Sequence, residues 1–157
     1  MTEYRPLIES AASTFGLSAN LVEAVVLAES SGHTDAFRFE PSFYDRYLKD
    51  NPAYAGQIPR RISSSYGLMQ CMYTTAQDHG FTGNPELLFQ PEVGLHYGCK
   101  HLFVMLTWAN GAIRQALAAY NGGIGNWRGA MPQRYAGHVL DILRTVDLEH
   151  PTADLKA

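Results

Sequence analysis

The run Leu17-Ser18-Ala19-Asn20-Leu21-Val22-Glu23-Ala24-Val25-Val26-Leu27-Ala28-Glu29-Ser30-Ser31-Gly32 contains a helix with both ends marked. Ser18 suits an N-cap, because its side-chain oxygen can accept a backbone N–H of the first turn. Gly32 suits the left-handed position that closes a helix. Between them Leu21, Val22, Val25, Val26 and Ala28 are apolar, which predicts a helix over residues 19–30 laid against a core. Glu29 stands four residues after Val25, three after Val26 and seven after Val22, so it shares their face, whereas Glu23 is expected to point elsewhere. A carboxylate among aliphatic side chains loses hydration, its charged form becomes costly, and its pKa rises toward the range of a general acid. The same position also suits a helix-end glutamate that reaches water or pairs with a base.

Upstream, Thr2 is placed to cap a first helix with Leu7, Ile8, Ala11, Ala12 and Phe15 at helical spacing and Gly16 as its stop. Downstream, residues 33–65 lose periodicity and gather aromatics (Phe37, Phe39, Phe43, Tyr44, Tyr47, Tyr54), reading as an elaborated loop with one short helix after Pro41. Helices are then expected over 67–78, from Pro85, from Pro91 to about 109, over 111–120, and from Pro132, the last with Tyr135, Val139, Ile142, Leu143 and Val146 on one face. No strand alternation is visible, so the expectation is an all-α domain over 1–149 followed by a polar, solvated tail over 150–157.

A chain of 157 residues with 46% hydrophobic, 17% charged and 11% aromatic residues has the material for one folded core, and the apolar runs 21–28 and 102–106 are too short to span a bilayer. A net charge of −3, with Arg60-Arg61 the only adjacent basic pair, leaves no footprint for nucleic acid. Cys71 and Cys99 read as small buried apolar residues, with a single bridge between them as the alternative. His33, His79, His96, His101, His138 and His150 lack ligand spacing, so neither metal nor cofactor is expected. Residues 1–6 show no basic segment running into an apolar stretch, hence no secretory signal.

Three separated motifs now fall into order: Ala28-Glu29-Ser30-Ser31-Gly32; Ser65-Tyr66-Gly67-Leu68-Met69-Gln70-Cys71-Met72 followed by Thr75-Ala76; and Ala118-Ala119-Tyr120-Asn121-Gly122-Gly123. Together they resemble the soluble lytic transglycosylase (SLT) family, from about Phe15 to Leu143. The resemblance implies a goose-type lysozyme-like helical fold, with an aromatic-rich insert after the catalytic helix. It also implies action on peptidoglycan strands, by a monomer, in the periplasm or outside the cell, with delivery by a specialised secretion route or a phage. It assigns Glu29 as catalytic acid and then base, Ser30 as its motif partner, and Gln70 and Met72 to the sugar groove. Tyr120 is implied to hydrogen-bond the catalytic carboxylate, with Asn121 beside it, and Tyr135, in the closing helix, to serve substrate binding or catalytic support.

Two departures stand out. The long segment 31–66 separates the first two motifs, and Ala130-Met131-Pro132-Gln133-Arg134 stands where the family has a Glu-Thr pair before the tyrosine. The expected reaction is cleavage of the β-1,4 bond between N-acetylmuramic acid and N-acetylglucosamine with closure of a 1,6-anhydro ring. A lysozyme-type hydrolase would need a second carboxylate, for which Glu40, Asp35 and Asp45 are candidates. A non-catalytic wall-binding module is the third reading.

Overall fold

The computed structural model describes residues 2–151. Two helices open the chain, α1 (Arg5–Thr14) and α2 (Ala19–Ser30). Ser18 caps α2, its hydroxyl accepting Leu21 N–H at 3.4 Å, and the helix closes through two successive positive-φ residues, Ser31 at φ 53° and the expected Gly32 at φ 82°. Thr2 does not cap α1, which begins behind Tyr4 without a side-chain cap; Thr2 N–H instead donates to Glu23 Oε1 at 2.8 Å.

The segment expected as a loop is built around β1 (Phe37–Phe39), α3 (Pro41–Phe43) running into a π turn, and α4 (Pro59–Ile62). The absence of strands expected from the sequence is therefore corrected. β1 pairs antiparallel with β2 (Ser64–Tyr66), and β2 with β3 (Cys71–Met72), with Phe37 opposite Tyr66 and Ser65 opposite Met72. The helix expected over 67–78 is correspondingly shorter: residues 67–70 form the β2–β3 turn and only α5 (Tyr73–Asp78) is helical. Strands of two or three residues are too short to print an alternation, and the run Gly67-Leu68-Met69 imitates helical patterning. Gly67 is required here. Its φ is +71°, and a Cβ would lie 2.6 Å from Leu88 O.

After a 3-10 turn, Pro85–Phe89, come α6 (Pro91–Trp108), α7 (Ile113–Gly122) and α8 (Ala130–Glu149). Pro91 opens α6, while Pro132 sits in the first turn of α8, where its missing N–H costs nothing. α8 packs on both α2 and α7, and α6 on α1 and α7. α2 is the central helix, with Val22, Val25 and Val26 inaccessible to solvent. Each valine contributes roughly 1.5–3 kcal/mol by leaving water. From Asn20 to Val26 no residue of α2 faces solvent. Glu23 points away from the Glu29 face, as expected, and does so into a buried pair: it is 0% exposed and ion-paired to Arg5 at 2.6 Å.

A second cluster, around Leu48, Ile62, Tyr66, Tyr73, Phe81 and Leu88, lies beneath the insert, and Phe43, Tyr44 and Tyr54 pack against it. Cys71 and Cys99 are both buried and free, so the bridge alternative is not formed. Of the expected tail, His150 is docked rather than solvated: its carbonyl accepts Asn20 Nδ2 at 2.9 Å. Residues 152–157 lie outside the described residues. Among the described residues no helix is long and apolar enough to cross a membrane.

Candidate active site

Where the helical core meets the small sheet, a cleft of about 440 Å³ opens, lined by Glu29, Arg38, Glu40, Gln70, Met72, Tyr120 and Asn121 among others. Glu29 reaches it from the last turn of α2. Burial drives its carboxyl up to about 7, against the Tyr135 hydroxyl and the Arg38 charge, which both favour the carboxylate. Tyr135 Oη donates to Glu29 Oε1 at 2.6 Å from the first third of α8. Burial and the adjoining Glu29 charge hold the Tyr135 phenol far above its ordinary range, so it remains a donor at any physiological pH.

The turn between β2 and β3 is fixed from two sides. Ser30 Oγ donates to Leu68 O at 2.8 Å, and Tyr120 Oη donates to Met69 O at 2.7 Å. Both bonds satisfy carbonyls of the same turn. At its end Gln70 adopts φ 47°, and its Nε2 donates to Ala36 O and Gly67 O, each at 3.0 Å. The amide is thereby oriented, and its Oε1 is left as an acceptor. Met69 lies against Gly98 of α6 so closely that a Cβ there would be 2.5 Å from its sulfur. Gly122 admits Pro132 in the same way, which lets α8 close on the end of α7, whose residues 119–122 line the cleft.

A model of the transglycosylase SLT domain matches residues 6–139 of this sequence. The chain belongs to that family. Among solved structures, this SLT domain is similar to an inactive glutamate-to-glutamine mutant of the lytic transglycosylase Slt from Pseudomonas aeruginosa, at TM-score 0.73 and 20% identity over 94% of this chain and 24% of that one. It is equally similar in fold to the 70 kDa soluble lytic transglycosylase of Escherichia coli, at TM-score 0.73 and 17% identity, again over 94% and 24% of the two chains. The lysozyme-like helical fold is therefore shared, and the chain spans about a quarter of the length of either protein.

Against the sequence expectations, this SLT domain gathers Glu29, Gln70, Met72, Tyr120 and Asn121 around one cleft and sets Ser30 beneath it. The carboxylate's partner differs: Tyr135 holds Glu29, and Tyr120 holds the Met69 carbonyl instead. With the Glu-Thr pair missing, Tyr135 needs no carboxylate neighbour, because Glu29 itself accepts from its hydroxyl. Of the second carboxylates considered, Glu40 lines the cleft while Asp35 and Asp45 are exposed and do not. Glu40 Oε1 pairs with Arg38 Nε at 2.7 Å on β1.

The sequence reading missed Arg38 and His101 as lining residues. Arg38 could have been found had β1 been recognised, since Arg38 and Glu40 are two apart and so share one face of a strand. Nothing in the spacing of His101 announces it. Among the described residues there is no group of three or more His, Cys, Asp or Glu arranged to hold a metal ion.

Proposed function

We propose that this SLT domain is a peptidoglycan lytic transglycosylase acting on cell-wall glycan outside the cytoplasm, with Glu29 as its acid and base. The reading is carried by one observation: a carboxyl brought to about 7 by burial, hydrogen-bonded to a buried tyrosine, at the wall of a polar cleft. At neutral pH such a group exists in both protonation states, which a residue that first gives and then takes a proton requires. Glu29 donates its proton to the glycosidic oxygen between N-acetylmuramic acid and N-acetylglucosamine, and the C1–O bond breaks with oxocarbenium character on the muramic ring. The carboxylate then removes the proton of that ring's C6 hydroxyl as the oxygen attacks C1. A 1,6-anhydro bond forms, Glu29 is reprotonated, and no water is consumed. The nucleophile belongs to the substrate, so its effective concentration replaces the second carboxylate of an ordinary glycosidase. Gln70 Oε1 and Asn121 supply polar contacts to the sugars, and Met72 an apolar one.

The second reading, hydrolysis, has one observation in its favour, namely Glu40 in the same cleft. Its ion pair with Arg38 argues against a role as free base. Mass spectrometry of muropeptides released from purified sacculi separates the two, since the products differ by the mass of one water. Anhydro ends are expected from the intact protein and none from Glu29→Gln. Reducing ends would assign hydrolysis and make Glu40 the next residue to replace. Unchanged release by Glu29→Gln would remove Glu29 from the chemistry, and no release by the intact protein would leave a binding module.

A further inference from the structure

His101 stands in the middle of α6 and lines the cleft wall. Its Nδ1 lies 3.0 Å from Nε2 of His79, the residue that ends α5, and its ring leans on Tyr120 with centroids 5.1 Å apart. His79 is itself fixed, because Lys100 Nζ donates to its carbonyl at 2.7 Å. The imidazole of His101 is thus held on two sides. Its remaining nitrogen, Nε2, makes no hydrogen bond among the described residues, yet it is not among their buried unpartnered atoms. His101 is half-buried and lines the cleft, and with Nδ1 engaged by His79, Nε2 is the ring nitrogen left to meet a ligand there.

From this geometry we infer that His101, oriented by His79, is a substrate-contact residue that hydrogen-bonds a neutral polar substituent of the bound glycan, a hydroxyl or an N-acetyl amide. The inference rests on reading the cleft as a glycan site. Burial, then the neighbouring His79, keep the His101 imidazole down at about 4, and His79 is lowered too by burial and by the Lys100 charge, with Asp78 opposing. Both rings are neutral at neutral pH, so one proton lies between the facing nitrogens. With that proton on His79, His101 Nε2 carries an N–H and donates into the cleft. With it on His101 Nδ1, Nε2 is a bare acceptor and His79 takes the complementary tautomer. A neutral pair of this kind serves groups that both give and accept hydrogen bonds, and offers no charge to a carboxylate.

The test uses Glu29→Gln protein with isotope-labelled histidine, titrated with a tetramer of N-acetylglucosamine. The His101 ring resonances are expected to shift saturably with the affinity of the protein as a whole. Adding His101→Phe, which keeps a ring against Tyr120, is expected to weaken binding roughly 3- to 10-fold, the range for one neutral hydrogen bond. His79→Phe should weaken it too, and His79→Gln should restore it, because the glutamine amide can still donate to His101 Nδ1. A role confined to joining α5 to α6 would lower the melting temperature and leave the affinity unchanged. His101 resonances unmoved at saturation, or equal affinity in His101→Phe, would overturn the inference. Should the tetramer not bind, half-saturation by sacculi in the Glu29-intact protein decides: it must rise in His101→Phe, and equality overturns the inference. Absence of any sacculus product from the intact protein would instead strike the reading of the cleft.

Discussion

Glutamine at position 29 has no proton to give, but it also has no charge to bury, so activity and stability should move in opposite directions. In the folded protein the Glu29 carboxyl is raised from 4.5 to about 7, and between those values the folded state holds a proton that the unfolded chain releases. Stability therefore falls as pH rises through this window, and the full cost, about 1–3 kcal/mol, is felt above pH 7. Glu29→Gln is expected to be more stable than the wild type by about that amount at pH 8 and equal to it at pH 4, measured by urea unfolding. A variant less stable at pH 8 would mean that the carboxylate is paired rather than desolvated. Tyr135→Phe probes the same atom from the other side. Loss of the donor raises Glu29 further, so the alkaline fall of kcat/KM should move upward from near pH 7, while kcat drops about tenfold as the acid loses its orientation. A fall that stays at pH 7 would show that the hydroxyl does not touch the carboxylate in solution. Three valines of its own helix gave Glu29 its face, but they left a helix-end glutamate open beside a buried acid, and the resemblance alone chose between the two. Its partner was not legible, because Tyr135 lies 106 residues away and only the packing of α8 on α2 brings them together.

At the scale of elements, the piece that sequence patterning misassigned is the piece that organises the cleft. Long helices announce themselves: α2, α6, α7 and α8 follow apolar spacing, and their ends lie within a few residues of those expected. The β2–β3 hairpin does not, because so short a ribbon is held by bonds from outside rather than by its own propensity. Ser30 from α2 and Tyr120 from α7 supply those bonds, to adjacent carbonyls. This gives physical content to two motif residues whose roles were otherwise only implied by resemblance. Ser30→Ala is expected to leave Leu68 O without its donor and to cost about 1–3 kcal/mol in denaturant unfolding. Because the turn also carries Gln70, half-saturation by sacculi should rise more than kcat falls. An unchanged half-saturation with lowered stability would confine Ser30 to holding the fold.

Across the whole molecule, the first and last helices are tied to α2 by one buried polar network on the side away from the cleft. Arg5 Nη1 donates to Glu23 Oε2 at 2.6 Å and its Nη2 to Asn20 Oδ1 at 2.8 Å, while Asn20 Nδ2 donates to Asp147 Oδ1 at 2.8 Å. Burial pushes the Glu23 carboxyl up, but Thr2 N–H and Arg5 outweigh it and hold the group below its ordinary value. The sign is opposite to that of Glu29: Glu23 contributes stability above pH 4.5, lost as pH falls through its depressed folded value. Arg5→Met keeps the aliphatic stem and removes the charge, leaving a carboxylate with no exposure to water. The expected loss is about 3–5 kcal/mol at pH 7, because the buried carboxylate keeps the Thr2 N–H but loses its guanidinium partner, a penalty far beyond the worth of the pair. The loss should shrink toward pH 3, where the Glu23 of the variant is protonated and needs no partner. Muropeptide release per folded molecule should stay at the wild-type level at low temperature, since neither Arg5 nor Glu23 lines the cleft. Denaturant unfolding of Arg5→Met and wild type at pH 7 and pH 3 checks both parts. An equal loss at the two pH values would mean that Arg5 acts through packing of its stem, and the charge pair would then not be what joins α1 to α2.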